Sequence, residues 1–183
     1  MKRKIFLLLF CISFLNSFSQ RIVIDRIEDD GRRQLMSSGR NIKLDGATYN
    51  FIVKAYERFG YIDWCILISS FCYIPQNATL LIKLGNNEVI SVVVNNLNVG
   101  KVTTGYGYIY SKVDYYSAIF DLSNEQFSKI EENGIVKIRI SSRSSYKEKV
   151  WNKDKLGKYV ANCRRKMIER FATTKVKSIY EDF

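Results

Sequence analysis

A chain of 183 residues, 46% hydrophobic and 14% aromatic, is too apolar to be a disordered segment and long enough to bury a real core. It carries a net charge of +11 and no histidine, which excludes the histidine-dependent triads, the usual neutral-pH general base and most zinc sites. One proline and ten glycines exclude a loop-dominated fold.

The first four residues, Met1-Lys2-Arg3-Lys4, are basic, and an apolar run over 5–15 follows, broken by Ser13. Ser17 and Ser19 then place small residues at −3 and −1 of a cut after Ser19, the pattern of a secretory signal peptide. The apolar run is too short to cross a bilayer, which takes about 20 residues. Cys11 follows Phe10, where a lipoprotein signal would want a small residue. Residues 1–19 therefore read as a leader and 20–183 as one exported domain, without internal repeat or linker. The expected location is the periplasm, the outer-membrane periphery or the extracellular side, and the chain is not expected to be integral to the membrane.

Removing Lys2, Arg3 and Lys4 leaves +8, and this excess is localised. Residues 20–142 carry 14 basic and 13 acidic side chains, whereas residues 143–177 carry 12 basic and 3 acidic ones. The exported part keeps Cys65, Cys72 and Cys163, an odd number that leaves at least one thiol unpaired or paired between chains. Cys65 and Cys72 are seven apart, so a continuous strand would send them to opposite faces. Nothing in the spacing selects a Cys163 bridge, and the plain reading is three small buried hydrophobes.

Residues 21–28 alternate and are β-branched, Asp30-Gly31 is a turn signal, and residues 33–37 return as the second strand of a hairpin. Residues 49–59 read as a half-buried strand, with Phe51, Val53 and Ala55 on one face and Asn50 and Lys54 on the polar side. Residues 63–71 are apolar on both faces, as a central strand would be. Residues 79–84 and 88–94 flank a Gly85-Asn86-Asn87 turn and form a second hairpin, and residues 106–122 read as one long strand or two bent ones. Ser123 with Gln126 makes a capping box for a short helix that Gly134 stops, and residues 135–141 alternate again. From 154 to 173, Leu156, Val160, Cys163, Met167 and Phe171 recur at three and four, an amphipathic helix with its cations mainly off the apolar stripe. This order predicts a β-rich α+β domain: an antiparallel sheet or sandwich, a short helix, and the C-terminal helix packed on it.

No phosphate loop, nucleophile elbow or metal spacing occurs, and no cofactor or metal is expected. Carboxylates at 25, 28, 29, 30, 57, 63 and 114 would suit a paired-carboxylate hydrolase, and Tyr with Arg or Lys a polysaccharide lyase, but no constellation gathers them. Two features could bind a ligand. Tyr106, Tyr108, Tyr110, Tyr115 and Tyr116, with Trp151, could present rings with polar edges to an envelope glycan; the alternative is ordinary cross-strand packing. Lys155, Lys158, Arg165, Lys166 and Arg170 could meet an anionic lipid surface, an acidic glycan or an acidic protein; the alternative is a solvated helix face. Nucleic acid is not an expected partner for an exported chain.

The leader ending Ser17-Phe18-Ser19-Gln20, the strand Asp63-Trp64-Cys65-Ile66-Leu67-Ile68-Ser69 and the hairpin Leu81-Ile82-Lys83-Leu84-Gly85-Asn86-Asn87-Glu88 carry a resemblance. With the run Leu122-Ser123-Asn124-Glu125-Gln126-Phe127 into Gly134-Ile135-Val136-Lys137-Ile138-Arg139-Ile140, the chain resembles the uncharacterised secreted β-rich proteins of Bacteroidetes-type bacteria. That resemblance implies residence in a Gram-negative envelope and assigns no functional residue. The expectation is a non-enzymatic binding or scaffolding domain of the cell envelope.

Overall fold

The computed structural model describes residues 21–106 and 109–181, so the leader reading and Tyr108 lie outside the described residues. A curled antiparallel sheet holds β1 (Ile22–Ile27), β2 (Arg33–Ser37), β3 (Arg40–Leu44), β4 (Ala47–Arg58), β5 (Tyr61–Ser70), β8 (Asn96–Tyr106) and β9 (Ile109–Leu122). Its order is β1-β2-β4-β5-β9-β8, with β3 also pairing β4. A second sheet runs β11 (Tyr146–Val150), β10 (Ile135–Ser141), β6 (Thr79–Leu84), β7 (Val89–Val93). Helices α1 (Asn124–Asn133) and α2 (Leu156–Glu181) complete the β-rich α+β fold, and α2 packs on the first sheet as expected.

Alternation decides which face each strand buries. Leu35, Phe51, Val53, Ala55, Trp64, Ile66, Ile68, Ala118 and Phe120 of the first sheet share one core with Leu80, Ile82, Leu84, Ile138 and Ile140 of the second. Burying each of the larger ones fully contributes roughly 1.5–3 kcal/mol. Helix α1 adds Phe127 and Ile130, and its Ser123–Gln126 capping box is formed in both directions. The whole α2 stripe, Leu156, Val160, Cys163, Met167 and Phe171, is buried in the same core.

Sequence and structure part in three places. Strand β3 was not expected, although Asp45-Gly46, at φ 44° and 82°, is the two-residue turn that tight hairpins use. Strand β11 was also missed; its Lys147 and Lys149 stand on an edge strand, where lysines deter further strand pairing. The 11-residue strand β8 was missed as well: of the strand expected over 106–122, residues 109–122 are one long strand, β9, while Tyr106 ends β8 and pairs Ile109, so β8 and β9 form a hairpin. Strand β5 ends at the Ser70–Tyr116 rung, so the rungs from Gly100–Tyr115 outward pair only with each other.

Tyr159 fixes how α2 sits. Val53 N–H donates to Ser37 Oγ (3.0 Å), Ser37 lies 2.9 Å from the Tyr159 hydroxyl, and that hydroxyl donates to the Ser38 carbonyl at 2.6 Å. The chain of bonds satisfies a phenol that is only 2% exposed. At the start of α2, the Asp154 carboxylate accepts from Gly157 N–H (2.7 Å) and Ile135 N–H (3.0 Å), capping the helix and binding it to β10. A Cβ on Gly157 would lie 2.6 Å from that carboxylate, so the cap requires glycine there. Farther along, Asp25 receives a two-point bond from Arg33 and a third from Arg170 Nε, each at 2.8 Å, clamping β1, β2 and α2.

Tyr159→Phe keeps the ring but strands the Ser37 and Ser38 groups, and should cost about 1–3 kcal/mol in denaturant unfolding; an unchanged midpoint would show that the hydroxyl does not seat the helix. The Arg33 guanidinium bond holds the Asp25 carboxyl below its ordinary 3.8, partial burial opposes this, and Arg170 adds to it. The stability this contributes is complete above the unfolded value and is lost as pH falls through the lower folded one. The melting temperature should hold down to about pH 5 and fall below about pH 4, while Asp25→Asn starts lower at pH 7 and shows a flatter acid limb.

Candidate functional site

The second face of the first sheet is where polar chemistry collects. Residues of β4 and β5 that alternate away from the main core would be solvent-facing on a flat sheet. Here the sheet curls, and Ile52 (8%), Lys54 (9%), Cys65 (2%) and Ser69 (3%) are buried on that face. The polar side expected for Lys54 is thus partly enclosed. Register sets Lys54, Cys65 and Asp121 side by side on β4, β5 and β9, with Tyr56 and Asp63 on the next rung.

At the end of this face lies a cleft of about 360 Å³. Cys65 and Ile119 supply its apolar floor, Trp64 and Leu122 border it although their side chains belong to the core on the other face, and Arg32, Tyr56, Asp63, Asn95, Asn96 and Asp121 form its polar wall. Asn95 donates from its amide to Asp121, and its backbone N–H bonds Ile119 C=O at 2.8 Å, which pins the loop before β8 to β9. Arg32 is held by Asp30 at 2.6 Å and stacks 5.1 Å from the Tyr56 ring centre. Lys54 Nζ donates to the Tyr56 hydroxyl at 2.7 Å. That nitrogen is also 5.0 Å from the ring centre, so it lies off the ring edge and the hydrogen bond is the interaction that counts. Tyr56 is thus gripped by two cations, one on its face and one at its hydroxyl.

Burial pushes the Cys65 thiol up to about 12, with the Lys54 cation opposing and Asp121 and Asp63 reinforcing the rise. Cys65 is therefore a neutral, apolar part of the floor and no nucleophile. Cys163 is raised by burial as well, against hydrogen bonds from Ser37 and Tyr159. The three described cysteines are unbridged, as the reading of small hydrophobes anticipated, although Cys72 is only half-buried. No cluster of three His, Cys, Asp or Glu side chains suited to a metal occurs among the described residues.

The tyrosines singled out in the sequence lie on two strands, apart from Tyr108, which is outside the described residues. Tyr106 and Tyr110 belong to different strands of the β8–β9 hairpin, on neighbouring rungs. Tyr115 and Tyr116 point to opposite faces: the Tyr115 hydroxyl donates to Ser69 Oγ (2.7 Å) with its ring against Phe71, while Tyr116 packs edge-on against Tyr73 at 5.4 Å. Trp151 is half-buried against the core, and its backbone N–H donates to Val136 C=O. The basic set is scattered too. Lys155 and Lys158 are exposed beside the start of α2, Arg165 bonds Asn162, and Arg170 holds Asp25. Lys166 lines a hollow with Ile22, Asp25, Glu169, Arg170 and Thr173.

The cleft residues were missed because they come from five separate stretches of sequence. The signal that could have flagged them is the excess of Asn, Asp and Arg at strand ends, namely Arg32, Asp63, Asn95, Asn96 and Asp121. No family model, no curated protein and no solved structure matches the chain.

Thiol labelling at pH 8 should modify Cys72 first and reach Cys65 and Cys163 only as the protein unfolds. Equal rates at all three would contradict the buried, neutral thiols described here.

Proposed function

We propose that the chain is an exported binding domain of the cell envelope that holds a neutral, hydroxyl-rich ligand, a glycan segment, in the cleft between Arg32 and Asp121. The observation that carries this reading is the mixture of donors and acceptors in the cleft wall. Arg32, already paired with Asp30, lines it together with Asp63, Asp121, Asn95 and Asn96, while Lys54 is buried beside it against the Tyr56 hydroxyl. An anionic ligand would meet both carboxylates, and a cationic one the Arg32 guanidinium. A polyol donates to the carboxylates and accepts from the guanidinium and amides at once, so it satisfies the wall without leaving a desolvated charge unpaired. Ile119, half-buried on this face of β9, offers apolar surface to the face of a sugar ring.

This reading keeps the glycan partner expected from the sequence and moves it from the tyrosine strands to the cleft. The leader over residues 1–19 supplies the compartment in which such a ligand is met. The buried thiol and the absence of histidine support binding over turnover.

Calorimetry against a panel of neutral envelope oligosaccharides should find a ligand whose affinity falls about ten- to hundredfold in Asp121→Ala and in Arg32→Ala, the range of one charge-assisted hydrogen bond. Binding that ignores both changes, or reproducible cleavage of the sugar, overturns the proposal.

A further inference from the structure

We infer that the outer face of the four-stranded sheet docks on an anionic phospholipid surface. The face is built by register. Lys83 of β6 stands directly across from Lys137 of β10, and Arg139 follows two residues on, across from Leu81. Like charges directly opposite on neighbouring strands oppose sheet formation, so this pairing is maintained at a cost. One carboxylate serves the group: Glu148 takes Lys137 at 2.8 Å and Arg139 at 2.6 Å. Lys83 has no ion-pair partner among the described residues, and three cations against one anion leave two positive charges on the face. A register shift between Ile135 and Lys137 bulges the strand beside them, a device that re-aims side chains.

The apolar part of the face decides between kinds of anionic partner. Val89 and Val93 on β7 and Val150 on β11 border the cations on both sides and are 52%, 61% and 56% exposed. A shallow groove of about 180 Å³ runs between Leu81, Lys83, Val89, Lys137 and Arg139. A soluble acidic polymer gains nothing from bare valines, whereas a bilayer interface receives headgroup charge and apolar tips together. Helix α2, where the sequence concentrates its charge, is less suited: Arg164 is taken by Glu131, and Arg170 by Asp25. The inference is independent of the cleft reading, since the two sites share no residue.

The test is sedimentation of the purified protein with vesicles of phosphatidylglycerol and phosphatidylcholine in about equal parts, and with phosphatidylcholine alone, at low and moderate salt. Binding should require phosphatidylglycerol and weaken with salt. Lys83→Gln should reduce it about fivefold, the share of one cation at an anionic surface. Val89→Asn with Val150→Asn should reduce it comparably, while Lys158→Gln with Arg165→Gln should stay within about twofold of the parent. Circular dichroism and melting of each variant separate lost binding from lost fold. Absence of vesicle binding, an unchanged Lys83→Gln, a larger loss in the α2 variant, or capture by a soluble acidic polysaccharide in preference to vesicles would each overturn the inference.

Discussion

The Tyr159 hydroxyl is buried between Ser37 and Ser38 at the point where α2 crosses the first sheet, and the closure of the core follows from that contact. A phenol without a partner there would oppose folding, so α2 seats only where the oxygen reaches both groups. Once seated, the helix lays its apolar stripe against the core and lets Asp154 bind the start of β10. The second sheet is then tied to the first through α2 at one side. At another, Asp45 and Glu148 exchange bonds, N–H to carbonyl at 3.2 Å and N–H to carboxylate at 3.0 Å.

With one face of the seven-stranded sheet committed to the core, its polar residues are confined to the other. The curl then changes their character. A lysine and a cysteine that would be solvated on a flat sheet become buried, and burial makes their neighbours matter. Lys54 turns to Tyr56, Tyr56 also carries Arg32, and Asp121 and Asn95 complete the opposite wall. The cleft is a consequence of backbone shape acting on an unremarkable polar pattern, which is why its charged groups meet across strands and not along any one of them.

Charge shows the same separation between chain and space. The excess over residues 143–177 is contiguous in sequence, yet the fold distributes it over a loop, an edge strand and a helix, where Arg164 and Arg170 serve the partly buried carboxylates of Glu131 and Asp25. Lys83 of the second sheet, which has no ion-pair partner among the described residues, comes from a stretch with almost no net charge. Coulomb energy depends on distance and burial, so a count along the chain is a poor guide to where a field will stand.

Local physics was legible from the residues alone. The capping box at Ser123, the stop at Gly134, the α2 stripe, the 79–94 hairpin and the central strand at 63–71 each follow from interactions within a few positions, and each stands in the structure. Three strands escaped: β3 despite its Asp45-Gly46 turn, β11 because lysines mask its alternation, and β8, whose asparagines and glycines interrupt its apolar pattern. The reversal between Tyr106 and Ile109 escaped because tyrosine and glycine alternate smoothly through it. The cleft could not be read at all, since Arg32, Tyr56, Asp63, Asn95 and Asp121 meet only through strand order and curl. The sequence by itself determined the elements and which faces are apolar, because those depend on periods of two and 3.6 residues. Tertiary structure alone decided which polar side chains are buried together, because that depends on pairings between segments far apart in the chain.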